Sequence, residues 1–258
     1  MTRIFGRITW FGEFLMHEGT EGLVTPCPMY LSDDPADPLH PWYSAERDSV
    51  RFAVEQEGYT AAACVRGSLP LSFGLAGSTA LAVLHLANTT ATLRFQLVRE
   101  LDQRTHGFVP SGVDMESITR QSTGLFSAAG WRDVLWTPPS FELIGFEKEA
   151  TRDLQSIRWL LHAKRRRLDR LARHLSSVLQ DERLFMLAML DYCAELYDLD
   201  VYSGPVRAFI GRMLERGVAA KGIGGLYDKA VLVLTPAGDS KSNSSVDVPD
   251  ALWTWPVI

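Results

Sequence analysis

Between Pro70 and Ala80 the chain reads Pro-Leu-Ser-Phe-Gly-Leu-Ala-Gly-Ser-Thr-Ala, with glycines at 74 and 77 directly before a run of small and aliphatic residues. Glycine lacks a Cβ, so backbone N–H groups there can approach an oxyanion, and a helix opening at that point adds its positive dipole end. The chemistry this spacing suits is the holding of phosphate oxygens. The G-x-x-x-x-G-K-[ST] pattern of the ordinary P-loop is absent, and so is the G-x-G-x-x-G of dinucleotide folds. A glycine pair before a helix also serves plain helix–strand packing, and the loop alone leaves both readings open.

A second residue with chemistry to do is Arg7, which lies on an otherwise apolar strand. An unpaired guanidinium there is costly, so either it finds a carboxylate or it points to solvent at a strand edge. One candidate carboxylate is Asp114, in the segment Pro110-Ser-Gly-Val-Asp114 just after a Ser-Gly turn; the order of motifs given below selects it.

The elements that must hold these residues follow from the pattern. Strands are expected at Arg3–Phe11, Gly22–Leu31, Val50–Gln56 and Thr60–Arg66, and a buried helix from Ser78. Further helices are expected over Thr90–Arg104 and from Asp114, and strands over Gly124–Ala129 and Phe141–Glu147. The doublet Pro138-Pro139 is the expected boundary, giving domains 1–138 and 139–258. The second is mainly helical: Lys148–Leu179, Glu182–Leu199 and Val206–Arg216, before a strand at Leu226–Leu234 entered from the glycine-rich segment 221–225.

Composition excludes several classes. The chain has 258 residues, 46% of them hydrophobic, and a formal net charge of −5, so nothing in it favours nucleic acid or an anionic membrane. The three cysteines, Cys27, Cys64 and Cys193, are widely separated, and the histidines have no paired metal-ligand spacing. Arg3, Arg7 and Glu13 interrupt any secretory signal, and no stretch reaches the length of a membrane span. The expectation is a cytoplasmic protein, a monomer or a homodimer. The basic run His162–Arg173 carries the apolar stripe Leu168, Leu171 and Leu175, which favours a solvated basic face over an anion-binding one. Trp253 and Trp255 are expected to dock the C-terminal tail.

The order of the motifs adds a resemblance. Pro70-x-x-x-Gly74-Leu75-x-x-Ser78-x-Ala80 resembles the second motif of the GHMP kinases, the family of galactokinase, homoserine kinase, mevalonate kinase and phosphomevalonate kinase. The strand ending in Gly12-Glu13 before the loop to Gly19 is similar to their first motif. The segment Pro110–Asp114 is similar to a mevalonate kinase segment, and Lys221-Gly-Ile-Gly224-Gly225 with the strand after it resembles a shortened third glycine motif. Mevalonate kinases give the closest motif pattern, with Arg7 in place of their lysine and Phe14 in place of the usual histidine.

The resemblance implies an α+β fold, with an N-terminal domain like the second domain of ribosomal protein S5 and a C-terminal ferredoxin-like α/β domain, ATP lying between them. It implies an ATP-dependent kinase that phosphorylates a hydroxyl of a small metabolite: a mevalonate-like acid, a sugar or an amino alcohol. The implied nucleotide site is Pro70, Gly74, Leu75, Ala76, Gly77, Ser78 and Thr79. Mg²⁺ falls to Ser78 and Asp102, with Glu100 as the alternative for the latter, and Ser78 could instead cap its helix. Asp114 accepts or orients the acceptor proton and Arg7 keeps it ionised, while Glu13, His17 and Gly224 lie on the acceptor side. The alternative is a non-catalytic nucleotide- or metabolite-binding protein of the same fold; an RNA-binding protein of ribosomal type conflicts with the pI of about 5.7.

Overall fold

The structure, a computed structural model, describes residues 2–13, 15–71, 73–106, 111–146, 154–202, 204–224, 229–235 and 251–256. It is mixed helix and sheet, and the chain gathers into two compact units: Met1–Ile8 with Val24–Thr123, and Thr9–Leu23 with Gly124–Ile258. Two strands, β1 (Arg3–Phe11) and β2 (Gly22–Ser32), pass from one set of residues to the other. A five-stranded sheet has the order β1-β2-β4-β5, where β4 is Gly124–Ser127 and β5 is Gly130–Asp133, and β3 (Arg66–Gly67) pairs with β2.

In the first unit β1 alternates, with Ile4, Gly6 and Ile8 buried and Phe5 and Arg7 half-buried between them, the period expected of a strand with one face in the core. Four helices follow: α1 (Ser49–Gln56), α2 (Gly77–His85), α3 (Ala91–His106) and α4 (Val113–Arg120). Of α2 only Ser78 is not buried, and the helix packs against α1, α3 and α4.

The expected strand at Val50–Gln56 is instead α1. The alternation of Val50, Phe52 and Val54 imitates a strand, yet Asp48 accepts hydrogen bonds from the amides of Val50 (3.0 Å) and Arg51 (2.9 Å), an N-cap that commits the segment to helix. Its other carboxylate oxygen meets His85 Nε2 at 2.7 Å, and His85 Nδ1 accepts the Ala62 amide, so Nε2 carries the proton. This buried clamp also holds the segment after α1, where the expected strand Thr60–Arg66 reduces to β3.

In the second unit β4 and β5 form a hairpin, Gly124 opposite Asp133 and Ser127 opposite Gly130. A four-stranded antiparallel sheet has the order β7-β8-β6-β9: β6 (Phe141–Phe146), β7 (Ala220–Ile223), β8 (Ala230–Leu234) and β9 (Ala251–Pro256). The tail pairs with β6 as β9, Trp253 and Trp255 standing in register with Gly145 and Leu143; the side chains of the two tryptophans lie outside the described residues. The helical stretch divides at Lys164 into α5 (Leu154–Ala163) and α6 (Arg165–Ser177), followed by α7 (Glu182–Asp198) and α8 (Gly204–Glu215). Trp10 anchors the core, fully buried and edge-on to Trp136 at 4.9 Å and Phe141 at 5.3 Å. Among the described residues no helix is long and apolar enough to cross a membrane.

Candidate active site

The glycine loop is tied to β1 by its backbone. The Arg7 amide donates to the Leu75 carbonyl at 3.0 Å, which brings the loop against the strand beside Gly6. A Cβ on Gly6 would lie 2.8 Å from that same carbonyl oxygen and 2.4 Å from Leu69 Cδ1, so only glycine permits the approach. The loop then turns through Ala76, whose left-handed backbone (φ 58°, ψ 33°) opens α2.

The N-cap of α2 is Ala76, which makes no side-chain capping hydrogen bond. An N-cap that is neither serine nor aspartate suits an external oxyanion at this helix start. Ser78 lies in the first turn rather than at the cap, and its side chain is half-buried. Leu75 and Thr79 are fully buried, main chain included, so of the residues expected to hold the nucleotide these two present no surface to a ligand. Gly77 faces Leu71, whose Cα would stand 3.3 Å from an added Cβ; its smallness serves the closure of the loop.

Arg7 and Asp114 meet as assigned: the guanidinium donates through Nε, and an NH2 nitrogen also contacts Asp114 Oδ1. Arg7 is 12% exposed and Asp114 30%, so the pair lies at the edge of the core with the carboxylate the more accessible member. Asp114 stands in the first turn of α4, opened by Gly112 at φ 85°, and α4 packs on α2. One residue thus joins three pieces: the Arg7 main chain carries the glycine loop, and its side chain carries the first turn of α4.

Asp102 lies on α3, which packs against both α2 and α4, but its side chain is outside the described residues. Glu100, the alternative, is exposed on the same helix. Among the described residues no three His, Cys, Asp or Glu side chains cluster as a metal site. Serine hydroxyl and carboxylate oxygens are the donor types Mg²⁺ takes, together with waters.

In the second unit Gly12 has φ 88°, and a Cβ there would stand 2.6 Å from Gly22 Cα. Its amide donates to the Tyr192 hydroxyl on α7 at 3.0 Å. Glu13 is 6% exposed and ion-paired with Lys221, which is fully buried on β7 and also donates to the Thr9 carbonyl at 3.0 Å. A solvated loop acid is thus excluded. Burial pushes the Tyr192 and Tyr202 hydroxyls well above the ordinary phenol range, so both stay protonated. Gly224 ends β7 in a left-handed turn at φ 83°. His17 belongs to the 3₁₀ turn Met16–Glu18, with its side chain outside the described residues; Phe14, Pro110 and Gly225 are outside them altogether.

The sequence reading passed over Gly6, Thr9 and Tyr192, and took Lys221 only as the first residue of the glycine-rich segment. Lys221 carried a usable signal, a lysine among Ala219, Ala220 and Ile223, to which the argument made for Arg7 applies equally. The basic run has internal partners: Arg165 and His162 on Glu18, Arg167 on buried Glu195 at 2.5 Å, and Arg173 on Asp169. Of the expected stripe Leu168 and Leu175 turn inward, with Ala172 beside them, while Leu171 is half-buried.

No protein-family model matches the sequence, and no curated protein matches it either. The fold has clear counterparts among solved structures. Mevalonate kinase from L. major, in complex with R-mevalonate, matches with a TM-score of 0.71 at 17% identity, covering 99% of this chain and 95% of that one. Phosphomevalonate kinase from Streptococcus pneumoniae, in complex with phosphomevalonate and AMPPNP, matches at 0.65 and 16%, covering 99% of each chain. Lactococcus lactis galactokinase complexed with galactose matches at 0.57 and 13%, covering 90% of this chain and 85% of that one. Along nearly its whole length, this chain has the fold of the GHMP kinases.

Proposed function

We propose that the protein is an ATP-dependent kinase that phosphorylates a hydroxyl group of a small metabolite. The observation that carries this reading is the double attachment of Arg7, by its amide to the glycine loop and by its side chain to Asp114. A phosphate cradle and a carboxylate suited to an alcohol proton are thereby held by one strand residue. The solved relatives are kinases of mevalonate, phosphomevalonate and galactose, one of them bound to a nucleoside triphosphate analogue, which supports the same chemistry.

When bound, Mg·ATP supplies the phosphoryl group, and its transfer to an alcohol oxygen leaves ADP. The protein's part is positioning and charge. The start of α2 and the glycine loop before it hold phosphate oxygens, and Ser78 with Asp102 holds Mg²⁺. Asp114 orients the acceptor hydroxyl and takes its proton. Arg7 holds that carboxylate in place and stabilises charge that develops beside it. Glu13, His17 and Gly224 are the further residues assigned to the acceptor.

The test is ATP-binding calorimetry followed by an ADP-release screen over small alcohols that includes R-mevalonate, phosphomevalonate and galactose. Mg²⁺-dependent ATP binding with acceptor-stimulated ADP release is expected. Binding without turnover of any alcohol would leave a non-catalytic nucleotide-binding protein, and absence of ATP binding would overturn the reading.

A further inference from the structure

Lys221 is a fully buried lysine that the chemistry above does not use. It lies on β7, all four residues of which are buried, and its ammonium sits between the Thr9 carbonyl and the Glu13 carboxylate, 208 residues away along the chain. The same region is held a second time, because the Gly12 amide donates to Tyr192. Tyr192 is itself fully buried and reaches up from α7, which packs against β7. The Gly12-Glu13 turn is therefore pinned to β7 through Lys221 and to α7 through Tyr192 by two independent buried polar contacts.

For a fold alone this is an odd choice. A well-packed apolar pair of similar volume serves stability as well as a buried ion pair or better. A purely structural pair would also satisfy both carboxylate oxygens, since buried polar atoms are nearly always hydrogen-bonded. Here Glu13 Oε1 is taken by Lys221, while Glu13 Oε2 is buried and has no partner among the described residues. What the lysine adds beyond packing is orientation: it fixes which oxygen of Glu13 is occupied and leaves the other with a lone pair to offer.

We propose that Lys221 is a positioning residue for acceptor binding, holding Glu13 so that Oε2 accepts a hydrogen bond from a neutral donor group of the alcohol. This rests on the kinase reading. With Lys221 balancing the carboxylate, the pair carries no net charge, so the site takes a hydroxyl in preference to an ammonium or a carboxylate. Lys221 itself does not touch the substrate; it acts through Glu13.

The experiment compares wild type, Lys221→Met and the charge-balanced double variant Glu13→Gln/Lys221→Met, using whichever of R-mevalonate, phosphomevalonate and galactose the wild type phosphorylates. In the single variant an unpaired carboxylate is left buried, and a fall in melting temperature is expected. The double variant removes that penalty and should recover the melting temperature. Its KM for the alcohol should nevertheless stay raised by about tenfold or more, with KM for ATP within about twofold of wild type. That split is what a merely structural contact does not produce. A double variant with wild-type KM for the alcohol overturns the proposal, as does one that fails to fold, which would make the contact structural. A wild type that binds ATP but phosphorylates none of the three alcohols removes the acceptor reading and this role with it, a result told apart from the others before any variant is made.

Discussion

Replacing Asp114 by asparagine keeps the side chain's shape and one hydrogen-bond acceptor for Arg7, but removes the charge opposite a guanidinium that is 12% exposed. Breaking a well-buried pair by deleting one partner costs about 3–5 kcal/mol. Asp114 is 30% exposed and asparagine still accepts a hydrogen bond, so a loss of about 1–2 kcal/mol is expected, measured by denaturant unfolding. Against a stability of about 5–15 kcal/mol, typical of folded domains, such a loss leaves well over ~99% of the protein folded. Unfolding therefore cannot account for a large fall in turnover. If Asp114 takes the acceptor proton, kcat should fall by about 10²-fold or more, equivalent to about 2.7 kcal/mol, with ATP affinity preserved. Arg7→Met should likewise keep ATP affinity within about threefold, because the loop hangs on the Arg7 amide, which the substitution leaves in place. The double variant should lose far less than the product of the two single losses, as residues acting as one unit do. Steady-state ADP release with an accepted alcohol reads kcat, and calorimetry reads ATP affinity. Turnover within about threefold of wild type in Asp114→Asn, or strict additivity in the double variant, would refute the reasoning.

Gly6→Ala should weaken ATP binding by about tenfold or more in calorimetry, because the new Cβ meets the Leu75 carbonyl and pushes the loop off β1. Ser78→Ala and Asp102→Ala should each raise the Mg²⁺ concentration needed for half-maximal turnover with little change in melting temperature; a normal metal requirement in Asp102→Ala, with a raised one in Glu100→Ala, transfers the role to Glu100. Asp48→Ala should destabilise the protein by about 2–4 kcal/mol in denaturant unfolding, since it uncaps α1 and leaves His85 without its acceptor. Burial acts to raise the Asp48 pKa, but hydrogen bonds from His85 and the Arg51 amide outweigh it and hold the group below its ordinary 3.8. A depressed folded pKa gives stability that is complete above the unfolded value and lost as pH falls from about 3.8 through the folded one, so Asp48→Asn should flatten the stability profile in that acid range.

Much of the fold was legible because its signals are local. The Ser-Gly break before Asp114, the amphipathic stretch that became α7, and the glycines before α2 each reside within a dozen residues of what they specify. The error at α1 has a local cause too: Val50, Phe52 and Val54 alternate like a strand, and the decisive capping aspartate stands just outside the alternating run. Phe52 is 63% exposed in the result, so the apolar pattern did not report burial there.

The Arg7–Asp114 pair was half legible. A guanidinium on an apolar strand demands a carboxylate, which the sequence states; the choice of Asp114 among the acids needed the order of motifs, and its contact needed the fold. Gly6 and Lys221 show what only tertiary structure decides. Nothing near Gly6 announces that the Leu75 carbonyl will pass within reach of a Cβ, and no local pattern links Lys221 to Glu13. Composition and periodicity specify which faces turn inward, because that depends on each residue's own affinity for water. Which buried charge meets which depends on how strands distant along the chain come to pack, and that is settled only when the whole core closes around them.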